Sequence, residues 1–124
     1  MATSKINVNR PLLWTNPNPG SSFGAQTISL DLTNYKAVEI VCKVQATVME
    51  EASAICDKGY SVTISQFGGG NGYGSGTVFI NQRLFKVTNN GVEAMQGLGA
   101  FITEVNFPYS SDSRLIPYKI YGVY

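Results

Sequence analysis

From residue 26 to residue 48 the chain alternates apolar and polar side chains with a period of two, a pattern that only a sheet buries efficiently. Ile28, Leu30 and Leu32 fall on one side, with Thr27, Ser29 and Asp31 on the other. After a short connection at 33–36, Val38, Ile40, Cys42, Val44, Ala46 and Val48 fall on one side against Glu39, Lys43, Gln45 and Thr47. Successive side chains of a strand point to opposite faces, so each run has one dry face and one wet face. Two antiparallel strands on one core are the simplest arrangement.

The same period returns further on. Tyr60, Val62 and Ile64 are spaced by Ser61, Thr63 and Ser65, and residues 77–80 and 83–87 are rich in β-formers. Asn90-Gly91 is then the strongest hairpin signal, because both central residues of a type I′ turn need positive φ. With that pair as the loop, Asn89 should face Val92, Thr88 face Glu93, and Val87 face Ala94. Val87, Val92 and Ala94 would share the buried face, and Lys86 and Glu93 would form a weak diagonal pair on the other. Near the end, Ile116, Tyr118 and Ile120 alternate with Pro117, Lys119 and Tyr121. Pro117 has no N–H to give a ladder, so this strand should start there or run along a sheet edge. No polar tail follows Tyr124, which makes the final stretch a working strand.

One segment reads two ways. Thr47-x-x-Glu50 has capping-box spacing, and Met49, Ala52 and Ile55 recur at helical intervals before Asp57-Lys58-Gly59. A short helix over 47–58 and a strand with a bend are both open. The expected fold is all-β, an antiparallel β-sandwich or jelly-roll-like barrel with at most one short helix. A chain of 124 residues fits a single domain, 1–124, with 1–24 as an extended N-terminal lead-in.

Composition narrows the chemistry. There is no histidine, which removes Ser-His-Asp and Cys-His nucleophile systems. A zinc site would need two cysteines plus scattered carboxylates. Glu50 and Glu51 are adjacent and would point to opposite faces, while Asp31, Asp57, Glu104 and Asp112 share no spacing. The chain therefore reads as no enzyme, with no catalytic residue, cofactor or metal. Its net charge of +1 offers little to nucleic acid or to an anionic membrane surface. No apolar run is long enough to cross a bilayer, and residues 1–9 carry Lys5 without the apolar stretch of an export signal. Only 14% of residues are charged, so the surface must be built from Ser, Thr, Asn, Gln, Gly and Tyr. Such a surface fits burial against copies of itself.

Cys42 and Cys56 read as reduced, buried small hydrophobes, with a single disulfide or a redox role as the other reading. Residues 68–76 hold six glycines in nine positions and complete no phosphate-binding motif. They read as a surface loop, or as one presenting Tyr73 to a sugar or protein. Trp14, the only tryptophan, suits core packing or the sealing of a sheet edge, with sugar stacking as its functional alternative. Tyr109, Tyr118, Tyr121 and Tyr124 enrich the last third with a residue type common in interfaces. The candidate contact residues are thus Trp14, Tyr73, Tyr109, Tyr121 and Tyr124.

The stretch Leu13-Trp14-Thr15-Asn16-Pro17-x-Pro19, then Phe23, then Gln26-Thr27-Ile28-Ser29-Leu30-Asp31-Leu32-x-x-Tyr35, resembles a segment of small tail-associated proteins of tailed phages and prophages. There it opens tail-fibre or receptor-binding tip domains. Ile116-Pro117-Tyr118-Lys119-Ile120-Tyr121-Gly122 resembles the closing strand of the same group. These segments lie towards the two ends of the chain, and the middle, 49–76, matches nothing in the group. The resemblance implies a virion component, assembled in the bacterial host cytoplasm, often trimeric and acting by adhesion. Its partners would be itself, other virion proteins and a host-surface glycan or protein. A capsid decoration or head-fibre protein and a free-standing carbohydrate-binding module are the alternatives.

Overall fold

The structure, a computed structural model, describes residues 10–44, 47–69, 78–102, 110–111 and 115–124. These form β1 (Leu12–Thr15), β2 (Gln26–Ser29), β3 (Ala37–Val44), β4 (Thr47–Asp57), β5 (Ser61–Gly69), β6 (Val78–Thr88), β7 (Gly91–Ala94), β8 (Leu98–Ile102), β9 (Ser110–Ser111) and β10 (Leu115–Val123). No helix occurs among the described residues. The first sheet runs β1-β10-β3-β4 and the second β2-β7-β6-β8-β9, with β5 on the other side of β6. Every pairing is antiparallel. The two sheets make a β-sandwich whose core takes Val38, Ile40 and Ile120 from the first and Ile28, Ile64, Phe85 and Val92 from the second.

The two alternating runs do share this core, but not as neighbours. β2 pairs with β7 and β3 pairs with β4 and β10, so the runs face each other across the sandwich. In the ambiguous segment the strand prevails. β3 offers an open edge along nearly its whole length, and Ala37↔Asp57 through Lys43↔Glu51 fill it without a break. Ala52, Ala54 and Cys56 then turn inward while Ser53 and Ile55 stay exposed. Long-range pairing outweighs a local capping signal that is worth only about 1 kcal/mol. Residues 78–80 and 83–87 belong to one continuous strand, β6, and residue 77 lies outside the described residues. Tyr60 lies outside β5 and is exposed, so it does not join Val62 and Ile64 in facing the core.

The hairpin register departs from the turn-based expectation. Thr88 faces Gly91, Val87 faces Val92, Lys86 faces Glu93 and Phe85 faces Ala94. The loop pair is therefore Asn89-Asn90, one residue earlier, and Lys86 stands opposite Glu93 instead of diagonal to it. Each face keeps its residues because the slip preserves parity. Two contacts fix this register. Gly91 has φ of 149°, and a Cβ there would collide with the Ile28 carbonyl oxygen, so glycine is needed where β2 approaches. The Asn89 and Asn90 carbonyls also accept the Leu32 and Leu30 amides, each at 3.0 Å.

Pro117 sits inside β10, two residues after its start. The ladder to β1 covers only Lys119–Tyr121, so at Pro117 the strand is laddered to β3 alone and its other side is a local edge of the sheet. The ladder to β3 shifts register between Pro117 and Lys119. A locally unpaired side next to a bulge is a setting in which a strand tolerates the missing N–H. Asn16 closes the irregularity, donating its Nδ2 to the Pro117 carbonyl at 2.8 Å. Gly122 leaves out the Cβ that would occupy the space of the Tyr35 ring. Cys42 and Cys56 are both free and buried. Burial pushes the Cys42 thiol up to about 12, against a small downward pull from the Arg83 charge.

Candidate functional site

A concave surface lies on the outer face of the second sheet. Along β6 the even positions Gln82 and Leu84 point outward, opposite Ser65 and Thr63 of β5. On the other side of β6, β7 ends at Ala94 and β8 begins at Leu98, so residues 95–97 leave the ladder. That break opens a groove of about 720 Å³. Leu84, Leu98 and Met95 give it apolar surface, while Thr27, Thr63, Gln82, Glu93 and Gln96 supply hydroxyls, amides and one carboxylate. Leu84 and Leu98, on the outward phase of the sheet, are each 36% exposed.

Arg83 holds the break from beneath. Its phase puts it inside the sandwich, where it is 1% exposed. Nη1 donates to the Met95 carbonyl at 2.7 Å and Nε to the Leu115 carbonyl at 2.9 Å. The first acceptor lies where the chain has left the ladder, and the second begins β10 in the opposite sheet. The guanidinium also lies 5.8 Å from the Phe23 ring centroid. Buried arginine stays protonated, so these are charge-assisted bonds in a low-dielectric setting. One side chain thus ties the groove wall, both sheets and the lead-in segment together.

The residues expected to make contacts are not gathered in this groove. Trp14, on β1, is half-buried and meets Phe23 edge-to-face, with centroids 6.1 Å apart and planes at 75°. It packs against the core as a partly buried residue. Tyr121, on β10, is half-buried between Leu12 and Glu39 of the neighbouring strands. Tyr124 is 61% exposed, with its ring tilted on Tyr35 at 5.1 Å. Desolvation, then the hydrogen bond with Tyr124, raises the Tyr35 phenol above its ordinary range. Tyr73 and Tyr109 lie outside the described residues. Tyr118 has the Lys43 ammonium 4.0 Å from its ring centroid, a cation–π contact on the first sheet.

The groove residues Leu84, Met95 and Leu98 and the arginine beneath were not singled out by sequence. A signal was present in β6. Phe85 and Val87 mark the inward phase, which places the charge of Arg83 inside and the apolar Leu84 outside. Among the described residues no group of three or more His, Cys, Asp or Glu side chains converges on a metal position. The groove lining is suited to recognition by shape, apolar contact and neutral hydrogen bonds. No protein-family model, curated protein or solved structure matches the chain.

Proposed function

We propose that this chain is a structural part of a phage virion, a tail-fibre, tail-tip or baseplate-associated module without catalytic activity. It works by associating with itself and by adhering to an uncharged host-surface glycan or protein through the groove of the second sheet. The observation that carries the adhesion half is the groove itself. It sets exposed leucines among hydroxyls and amides with a single carboxylate, in a chain of only 14% charged residues. Such a site selects partners by fit, because it has little charge to attract them from a distance.

The virion half rests on the two segments that resemble tail-associated proteins. Although they lie far apart in the chain, they pair as β1 and β10, with Trp14 opposite Ile120 and Thr15 opposite Lys119. Asn16 extends the union, its amide donating to the Tyr118 carbonyl at 2.8 Å. The resemblance therefore concerns one packed unit.

An antibody against the chain, applied in electron microscopy to particles released from a host carrying the gene, tests the proposal. Label at the tail end is expected, label on the capsid would favour a decoration protein, and unlabelled particles would overturn the virion reading. Replacing Leu84 by Lys should abolish binding of the purified chain to host cells while leaving the fold intact.

A further inference from the structure

Tyr118 and Lys119 are consecutive in β10, yet both side chains stand on the outer face of the first sheet. In a regular strand, neighbours point to opposite faces. Here the register shift between Pro117 and Lys119 inserts Tyr118 as an extra residue against β3, and a bulge of this kind re-aims a side chain. Asn16, only 6% exposed, fixes the irregularity. Its Nδ2 donates to the Pro117 carbonyl and its amide to the Tyr118 carbonyl, both at 2.8 Å. Lys43, on the outward phase of β3, completes the group. Its ammonium lies 4.0 Å from the Tyr118 ring centroid, and that of Lys119 lies 4.9 Å from it. All three side chains are half-buried.

Two ammonium groups drawn to one ring repel each other, and cation–π contacts on a wetted surface repay little of that cost. Among the described residues neither ammonium is paired with a carboxylate. Glu51 stands opposite Lys43 in the ladder and is exposed, but the ion pair on this face joins Arg10 to Glu39. From this we infer that Lys43, Tyr118 and Lys119 form a binding site for a phosphate group, distinct from the groove of the second sheet. Lysine engages phosphate as a point charge, whereas a carboxylate is better matched by the planar fork of arginine. A phosphate monoester carries about 1.5 to 2 negative charges at neutral pH, which two ammonium groups balance. The Tyr118 hydroxyl adds a donor to theirs. The two sites lie on opposite outer faces of the sandwich, so one chain can hold an uncharged partner on one face and a phosphate on the other.

Isothermal titration of the full chain with inorganic phosphate and with glucose phosphate, at constant ionic strength, tests this. Both should bind. Lys43→Gln and Lys119→Gln should each weaken binding about tenfold, the loss of one charge-assisted contact. Lys86→Gln removes a charge from the exposed face of the second sheet and should leave binding unchanged. Glu51→Gln should tighten it by removing the carboxylate opposite Lys43, a gain that misfolding cannot imitate. Tighter binding of glucose phosphate would mark a glycan as the source of the group, and equal binding a free phosphate; both uphold the site. A wild type that binds neither, three lysine variants weakened alike, or a Glu51→Gln variant that fails to bind more tightly would overturn it.

Discussion

In β3 the inward positions Val38, Ile40, Cys42 and Val44 are all apolar and buried, whereas in β6 the inward series runs Asn81, Arg83, Phe85 and Val87. Both strands are central to their sheets and both keep a period of two, yet they hold the sandwich together by different means. β3 does so by packing alone. β6 gives up apolar area at two positions and uses one of them, Arg83, to reach carbonyls that the interrupted β7–β8 side and the start of β10 present. The same strand places Leu84 outward, 36% exposed, as apolar surface of the groove. The comparison teaches that the buried charge of Arg83 and the groove above it meet at one feature, the ladder break at 95–97, whose Met95 carbonyl Arg83 binds.

That contrast sets an order of effects. Ile40→Ala should cost most, about 2–5 kcal/mol, since it opens a cavity in a strand that has only packing to offer; denaturant melts of the purified chain measure it. Arg83→Met should cost about 2 kcal/mol, because two carbonyls lose their donors while the desolvation of a charge is relieved. Its signature is local, a loss of hydrogen-exchange protection at the Met95 amide, which donates to the Leu84 carbonyl at 3.0 Å. Equal loosening of every strand would show that Arg83 is ordinary packing.

Asn81 should respond with the opposite sign. Its side chain is fully buried, and among the described residues neither its oxygen nor its nitrogen has a hydrogen-bond partner. Asn81→Leu should therefore stabilise the fold by about 1 kcal/mol, and a lower melting temperature would contradict this. The smallest effect concerns Asp31, whose carboxyl is held below its usual range by the Thr33 hydroxyl at 2.6 Å and then by the Thr33 amide. A lowered folded-state value gives stability that is present above the ordinary carboxylate range and fades as pH falls through the lowered one. Asp31→Asn should flatten that acid limb slightly.

The alternation of 26–32 and 37–44 was enough to read the fold class, since each run has one apolar side and only a sheet buries it. The partner of each run was not legible, because pairing across a sandwich depends on contacts distant in sequence. The hairpin shows the limit well. Asn90-Gly91 marked the turn to within one residue, and the approach of β2 to Gly91 then moved the register. Pro117 reads in the sequence as a strand start or a sheet-edge residue. It lies past the start of β10 on a locally unpaired side, and the bulge beside it, which depends on the register with β3, was not legible. The groove escaped notice because exposed leucines are visible only when the phase of β6 is read outward as well as inward.

The face assignment of β6 underlies both the groove and the clasp beneath it, and thiol labelling of a Leu84→Cys variant probes it most directly. Cys42 and Cys56 are buried, and burial raises both thiols, so the native wild type should stay unlabelled. The variant should take up one maleimide quickly under native conditions. A variant that labels only after unfolding would place residue 84 inside and contradict the architecture described for the second sheet.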